Sequence, residues 1–153
     1  MEELYNWKED RIYFKVSNLT FDLQLRKPYT LIDGMSGSGK TLLVTSILDK
    51  KKEENQSYRE YNVSNIIVID NNTEHIKDIL NSTKKKLVII DKADSIITED
   101  INNIIYANKN DNRYLIMIRK PIALPVSPNH IAELVNSNNV FKLTYEFNQE
   151  GWE

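Results

Sequence analysis

The chain has 153 residues, enough for one domain that buries its own core without metal or disulfide staples. Its 20 basic and 22 acidic residues leave a net charge of -2, which excludes a surface built throughout to hold nucleic acid or anionic lipid. With no cysteine, disulfide frameworks, thiolate nucleophiles and Cys-based zinc sites are excluded as well.

Met1 to Asp10 is acidic and has no apolar signal-peptide core. No stretch approaches the ~18 apolar residues that cross a bilayer, so the chain is expected to be cytoplasmic, with no membrane partner. From Ile12 to Leu25, the alternating sets Ile12/Phe14/Val16 and Phe21/Leu23/Leu25 flank Ser17-Asn18, the pattern of a half-buried β-hairpin. After Pro28, the apolar run Tyr29-Thr30-Leu31-Ile32 stops at Gly34 and predicts a buried strand feeding a turn. A helix is expected from Lys40 to Leu48, dissolving into the solvated run Lys50 to Glu54. Beyond it the pattern predicts a strand from Asn65 to Asp70, a helix from about Thr73 to Asn81, and a strand from Leu87 to Asp91. A helix from about Thr98 to Ala107, a strand from Tyr114 to Ile118, a helix from about Pro128 to Val135 and a last strand from Val140 to Phe147 follow. Short apolar strands alternating with helix-length segments make βαβ units, hence an α/β fold with a parallel sheet covered on both faces.

The most specific signal is Gly34-Met35-Ser36-Gly37-Ser38-Gly39-Lys40-Thr41. Gathering several backbone N–H groups around one anion requires a chain that curls tightly without side chains in the way, which glycine allows. A helix N-terminus directly afterwards adds free donors and a favourable dipole. Three of the four glycines in the chain lie in this loop. The spacing predicts a cradle for a nucleoside triphosphate, with Lys40 reaching the β- and γ-phosphates and the Thr41 hydroxyl on Mg²⁺.

Gly34 to Thr41 resembles the Walker A motif of P-loop NTPases, and Leu87-Val88-Ile89-Ile90-Asp91 looks like their Walker B strand, whose Asp91 would hold the magnesium shell. The resemblance implies a three-layer P-loop NTPase core with a mostly parallel five-stranded sheet and an N-terminal β-hairpin. One domain is expected over 1–153: the hairpin at 1–28, the core at 29–147 and a tail at 148–153. A whole βα unit between the phosphate-loop helix and the Walker B strand resembles the additional-strand branch of AAA- and STAND-like ATPases. There the strand after Walker B ends in a sensor near the γ-phosphate, the place that Arg119 takes. An ABC signature is missing, since no glycine lies between Lys40 and Glu150. Asn108-Lys109-Asn110-Asp111 matches the guanine-reading NKxD motif but precedes a strand instead of following one, and is expected to be a polar loop. The arginines do not cluster as in the lid of a small-molecule kinase. Arg119 with Leu124 to Leu134 is similar to a segment of short uncharacterised ATP-binding proteins of Firmicutes, which implies no substrate.

ATPases of this branch place a glutamate directly after the Walker B aspartate to orient the attacking water; here the residue is Lys92. Asp70, Asp94, Glu99 and Asp100 are the candidate substitutes. The chain also ends soon after its last predicted strand, leaving no room for a helical lid, so a protein partner or self-association is expected to complete the site. Two outcomes stay open: a weak or partner-dependent ATPase using ATP and Mg, with Lys40, Asp91 and Arg119 in catalytic positions, or a nucleotide-binding switch without hydrolysis. Nothing indicates nucleic acid.

Overall fold

The computed structural model describes residues 2–34, 39–120 and 128–145. Two short strands, β1 (Glu2–Glu3) and β2 (Tyr5–Asn6), precede a hairpin of β3 (Arg11–Val16) and β4 (Leu19–Gln24). Next come β5 (Tyr29–Ile32), α1 (Lys40–Lys52), β6 (Tyr61–Asn62), β7 (Ile66–Ile69), α2 (Ile76–Ser82) and β8 (Leu87–Ile90). They are followed by α3 (Glu99–Ala107), β9 (Arg113–Met117) and a final pair, β10 (Ile131–Ser137) and β11 (Val140–Tyr145).

Among the described residues, nine strands form one mixed sheet in the order β2-β3-β4-β11-β10-β5-β9-β8-β7. The expected five-stranded, mostly parallel, three-layer core is therefore incorrect, for two physical reasons. First, the segment read as a helix from Pro128 to Val135 is a strand. Beyond the 3-10 turn Pro128–His130, β10 runs parallel to β5, with Ile131 opposite Leu31 and Ala132 opposite Ile32. Second, the N-terminal hairpin does not stand apart: β4 pairs in parallel with β11, Val140 against Thr20 and Phe141 against Phe21, so that hairpin and core share one sheet. The described part of the last strand is β11, and Glu146 and Phe147 lie outside the described residues, as does the tail.

Alternation along the central strands assigns the two faces. Leu87, Ile89, Leu115 and Met117 point into a cluster with Leu43, Val44 and Ile47 of α1. Val88, Ile90, Tyr114 and Ile116 point the other way, against Leu80 of α2 and Ile101 and Ile105 of α3. Each of these buried aliphatic side chains contributes roughly 1.5–3 kcal/mol relative to exposure. Thr98 caps α3 by accepting from the Ile101 N–H at 3.3 Å, and Glu99 and Asp100 suit the positive end of that helix. At the other end of α1, the charged run is only partly solvated: Lys51 Nζ donates to the carbonyls of Val63 at 3.2 Å and Ile66 at 2.6 Å.

The sheet curls until its two edges meet. Asn65, just before edge strand β7, donates from Nδ2 to the carbonyl of Tyr5 in edge strand β2 at 2.8 Å, and β1 pairs in parallel with β6. The guanidinium of Arg113 lies 4.3 Å from the Trp7 ring centroid at the same junction. The wrap holds α1 against the concave face and leaves the carboxyl ends of β5, β8 and β9 together at one rim.

Candidate functional site

The carboxyl ends of the parallel strands β5, β9 and β8 lie side by side at this rim, the end of a parallel βα arrangement where ligands commonly sit. At that rim β5 gives way to Asp33 and Gly34, and α1 starts at Lys40 with Gly39 as its N-cap. Gly34 and Gly39 have φ of 140° and 108°, a backbone region open to glycine. Met35, Ser36, Gly37 and Ser38 lie outside the described residues.

Lys40 is buried, with 7% of its surface exposed, and its Nζ donates to the Gly34 carbonyl. Burial holds its pKa below the ordinary lysine range; Arg119 pushes the same way, and Asp33, Asp91 and Asp94 oppose. Asp91 stands at the end of β8, its N–H bonded to the Ile69 carbonyl at 2.8 Å and its Oδ1 accepting from the Lys92 N–H at 3.0 Å. Burial raises its pKa above the usual carboxylate range, with a further push from Asp70, against the lowering effect of Lys92 and Arg119. Arg119 follows β9 and is held by Asp94, whose Oδ1 accepts the Arg119 backbone N–H at 3.1 Å while its Oδ2 lies 3.7 Å from the guanidinium. The Arg119 guanidinium also reaches Ser95 Oγ at 3.4 Å.

These groups share one cleft of about 710 Å³, with Lys40, Thr41, Asp91, Lys92 and Arg119 in its lining. That volume suits a small-molecule site. Three of the four carboxylates considered in place of the missing glutamate have partners elsewhere. Asp70 accepts from Asn72 N–H at 2.9 Å and from Thr73 Oγ1 at 3.3 Å, and Asp100 is paired with Lys77 at 3.1 Å. Asp94 holds Arg119, and Glu99 is an exposed residue in the first turn of α3. Asn108 to Asp111 lies at the other end of the sheet, ahead of β9, where Lys84 pairs with Asp111 at 2.8 Å and the Lys85 N–H donates to the Asp111 carbonyl at 2.7 Å.

The description "ATPase family associated with various cellular activities (AAA)" matches residues 30–119, from β5 to Arg119. The chain belongs to the AAA family. It is thus a P-loop protein of the nucleotide-binding, ATPase type, in a family that generally binds ATP with Mg and often oligomerises. The matched AAA segment contains Gly34 to Thr41, Asp91 and Arg119, and stops before β10 and β11. No curated protein matches the chain. Among the described residues, no helix is long and apolar enough to cross a membrane, and no group of three or more His, Cys, Asp and Glu is placed to hold a metal ion.

Two lining residues, Asn136 and Phe141, were missed from sequence because β10 and β11 reach the rim only by pairing with the distant strands β5 and β4. The available signal was Asn138-Asn139, whose φ values of 54° and 66° make the tight turn of a two-residue hairpin. Leu42 and Thr45, on the outer face of α1, also line the cleft and follow from helical spacing after Thr41.

Proposed function

We propose that this AAA chain, as a single P-loop domain over 1–153, binds ATP with magnesium in the cleft at the start of α1 and turns it over slowly unless a partner or second copy completes the site. One observation carries the binding proposal. Lys40 and Asp91 lie in the same cleft, and burial disfavours the charged form of both. Magnesium triphosphate carries a charge opposite to each, which suits a cleft that places a lysine at a helix start and a carboxylate at a strand end. Lys40 would face phosphate oxygens, while Thr41 and Asp91 would hold the metal. Mg²⁺ is commonly held by one or two protein ligands, phosphates and water, so this sparse donor set fits. When bound, the metal supplies charge neutralisation on the phosphates. The backbone of Gly34, Met35, Ser36, Gly37, Ser38 and Gly39 would cradle them, with Arg119 as the sensor beside Lys40.

Slow turnover is proposed because Lys92, exposed and lining the cleft, occupies the position of the water-orienting glutamate. The same lysine favours the second reading, a switch that binds ATP and orders a partner surface without hydrolysis. The resemblance to short Firmicutes ATP-binding proteins is compatible with either.

Release of γ-phosphate by the purified chain, against Lys40→Ala as blank, separates them. The proposal expects a slow rate above the blank, and expects Lys92→Glu to raise it about tenfold or more, as restored water positioning allows. Phosphate release equal to the blank at every protein concentration, with ATP bound, would leave the switch. An unchanged rate in Lys92→Glu would remove Lys92 as the cause of slowness.

A further inference from the structure

We infer that the β10–β11 hairpin forms the base-recognising wall of this cleft, and that Asn136 reads an adenine edge there. The inference rests on the nucleotide-binding proposal and adds the residue that selects the base. β10 pairs with β5 only through Ile131 and Ala132, level with Leu31 and Ile32, and then continues beyond the end of β5 as far as Ser137. Its outer half therefore rises past the sheet rim on the side where α1 begins. A built Cβ on Gly39 would lie 3.4 Å from Leu134 Cδ2 and 2.6 Å from Phe141 Cε1, so the hairpin stands directly against the helix start.

Asn136 and Phe141 are paired across the hairpin, and both line the cleft. The hairpin tip is held, not loose: the Asn139 carbonyl accepts from the Thr20 N–H at 2.9 Å, and Phe141 stacks on Phe21 with centroids 4.6 Å apart. Asn136 is thus an exposed amide on a rigid element, facing a cleft whose other lining includes Leu42, Met117 and Phe141. The remaining side chains of the lining are charged or hydroxylic, with Lys40, Thr41, Thr45, Asp91, Lys92 and Arg119, and Asn136 is its one amide; apolar surface beside a few placed polar groups is the composition of a small-molecule seat. An amide offers a donor beside an acceptor, complementary to adenine N6–H and N7, whereas guanine presents two acceptors, O6 and N7, on that edge.

The test measures equilibrium binding of ATP, GTP and inorganic tripolyphosphate, each with magnesium, to the full chain and to Asn136→Ala and Asn136→Asp. Asn136 is exposed, so both variants should fold, and circular dichroism checks it. The expected result is about a tenfold loss of ATP affinity in Asn136→Ala, the scale of one base-reading contact, with tripolyphosphate unchanged. Asn136→Asp, which presents only acceptors, is expected to erase any preference for ATP over GTP. ATP binding unchanged in both variants, or an equal loss of ATP and tripolyphosphate, overturns the inference while leaving the nucleotide proposal standing. If the parent chain binds none of the three, the nucleotide proposal falls and takes this inference with it.

Discussion

Lys40→Ala is expected to weaken magnesium-dependent ATP binding by about a hundredfold or more, as loss of a desolvated charge partner does, while the nucleotide-free protein stays as stable as the parent or becomes more stable. The opposite directions follow from one fact. Lys40 is buried at the cleft floor, and its pKa is held below that of a free lysine. A folded-state lysine pKa below the unfolded one means that the native state binds the proton less well, so the charge opposes folding at every pH below the folded value. The penalty lifts only as pH rises from that value toward the ordinary lysine range. Alanine removes the penalty and the proposed phosphate contact together. Isothermal titration reports the second effect and thermal unfolding without nucleotide the first; lower stability with intact binding would mean that Lys40 serves the fold.

The second large effect is expected at Gly39. Alanine there should cost about 3 kcal/mol of stability, combining a left-handed backbone and an overpacked contact. Gly39 has φ of 108°, and an added Cβ would sit 2.6 Å from Phe141 Cε1. The Phe141 ring has little room to retreat, since it stacks on Phe21, which stacks on Phe14 with centroids 4.9 Å apart. Gly39→Ala combined with Phe141→Leu should relieve the contact relative to Gly39→Ala alone and leave the backbone strain in place. Urea unfolding of the single and double variants checks this. A Gly39→Ala protein within about 1 kcal/mol of the parent would show that the hairpin yields to the helix start.

Much of the rim was legible because it is written locally. Gly34, Gly39 and Lys40 announce a tight turn into a helix, and the apolar runs ending at Ile32, Ile90 and Ile118 announce buried parallel strands. What failed was pairing between distant segments. Ile131, Leu134 and Val135 fall at helical spacing, and Ala132, Glu133 and Leu134 are good helix formers. In the fold, the inward alternation of Ala132 and Leu134 and the ladder to β5 and β11 override that preference. The parallel bond between Val140 and Thr20 joins segments far apart in the chain, and no periodicity within either one reports it. The same long-range pairing brings Asn136 and Phe141 to the rim, which neither the expected helix from Pro128 to Val135 nor the expected strand from Val140 to Phe147 reports.

The most direct test is a titration of the full chain with ATP, first with magnesium and then with excess chelator. The account predicts saturable binding of one ATP per chain at micromolar concentration, strongly weakened when magnesium is withdrawn, because Thr41 and Asp91 are proposed to engage the nucleotide through the metal. No binding of ATP or GTP in the presence of magnesium would contradict it.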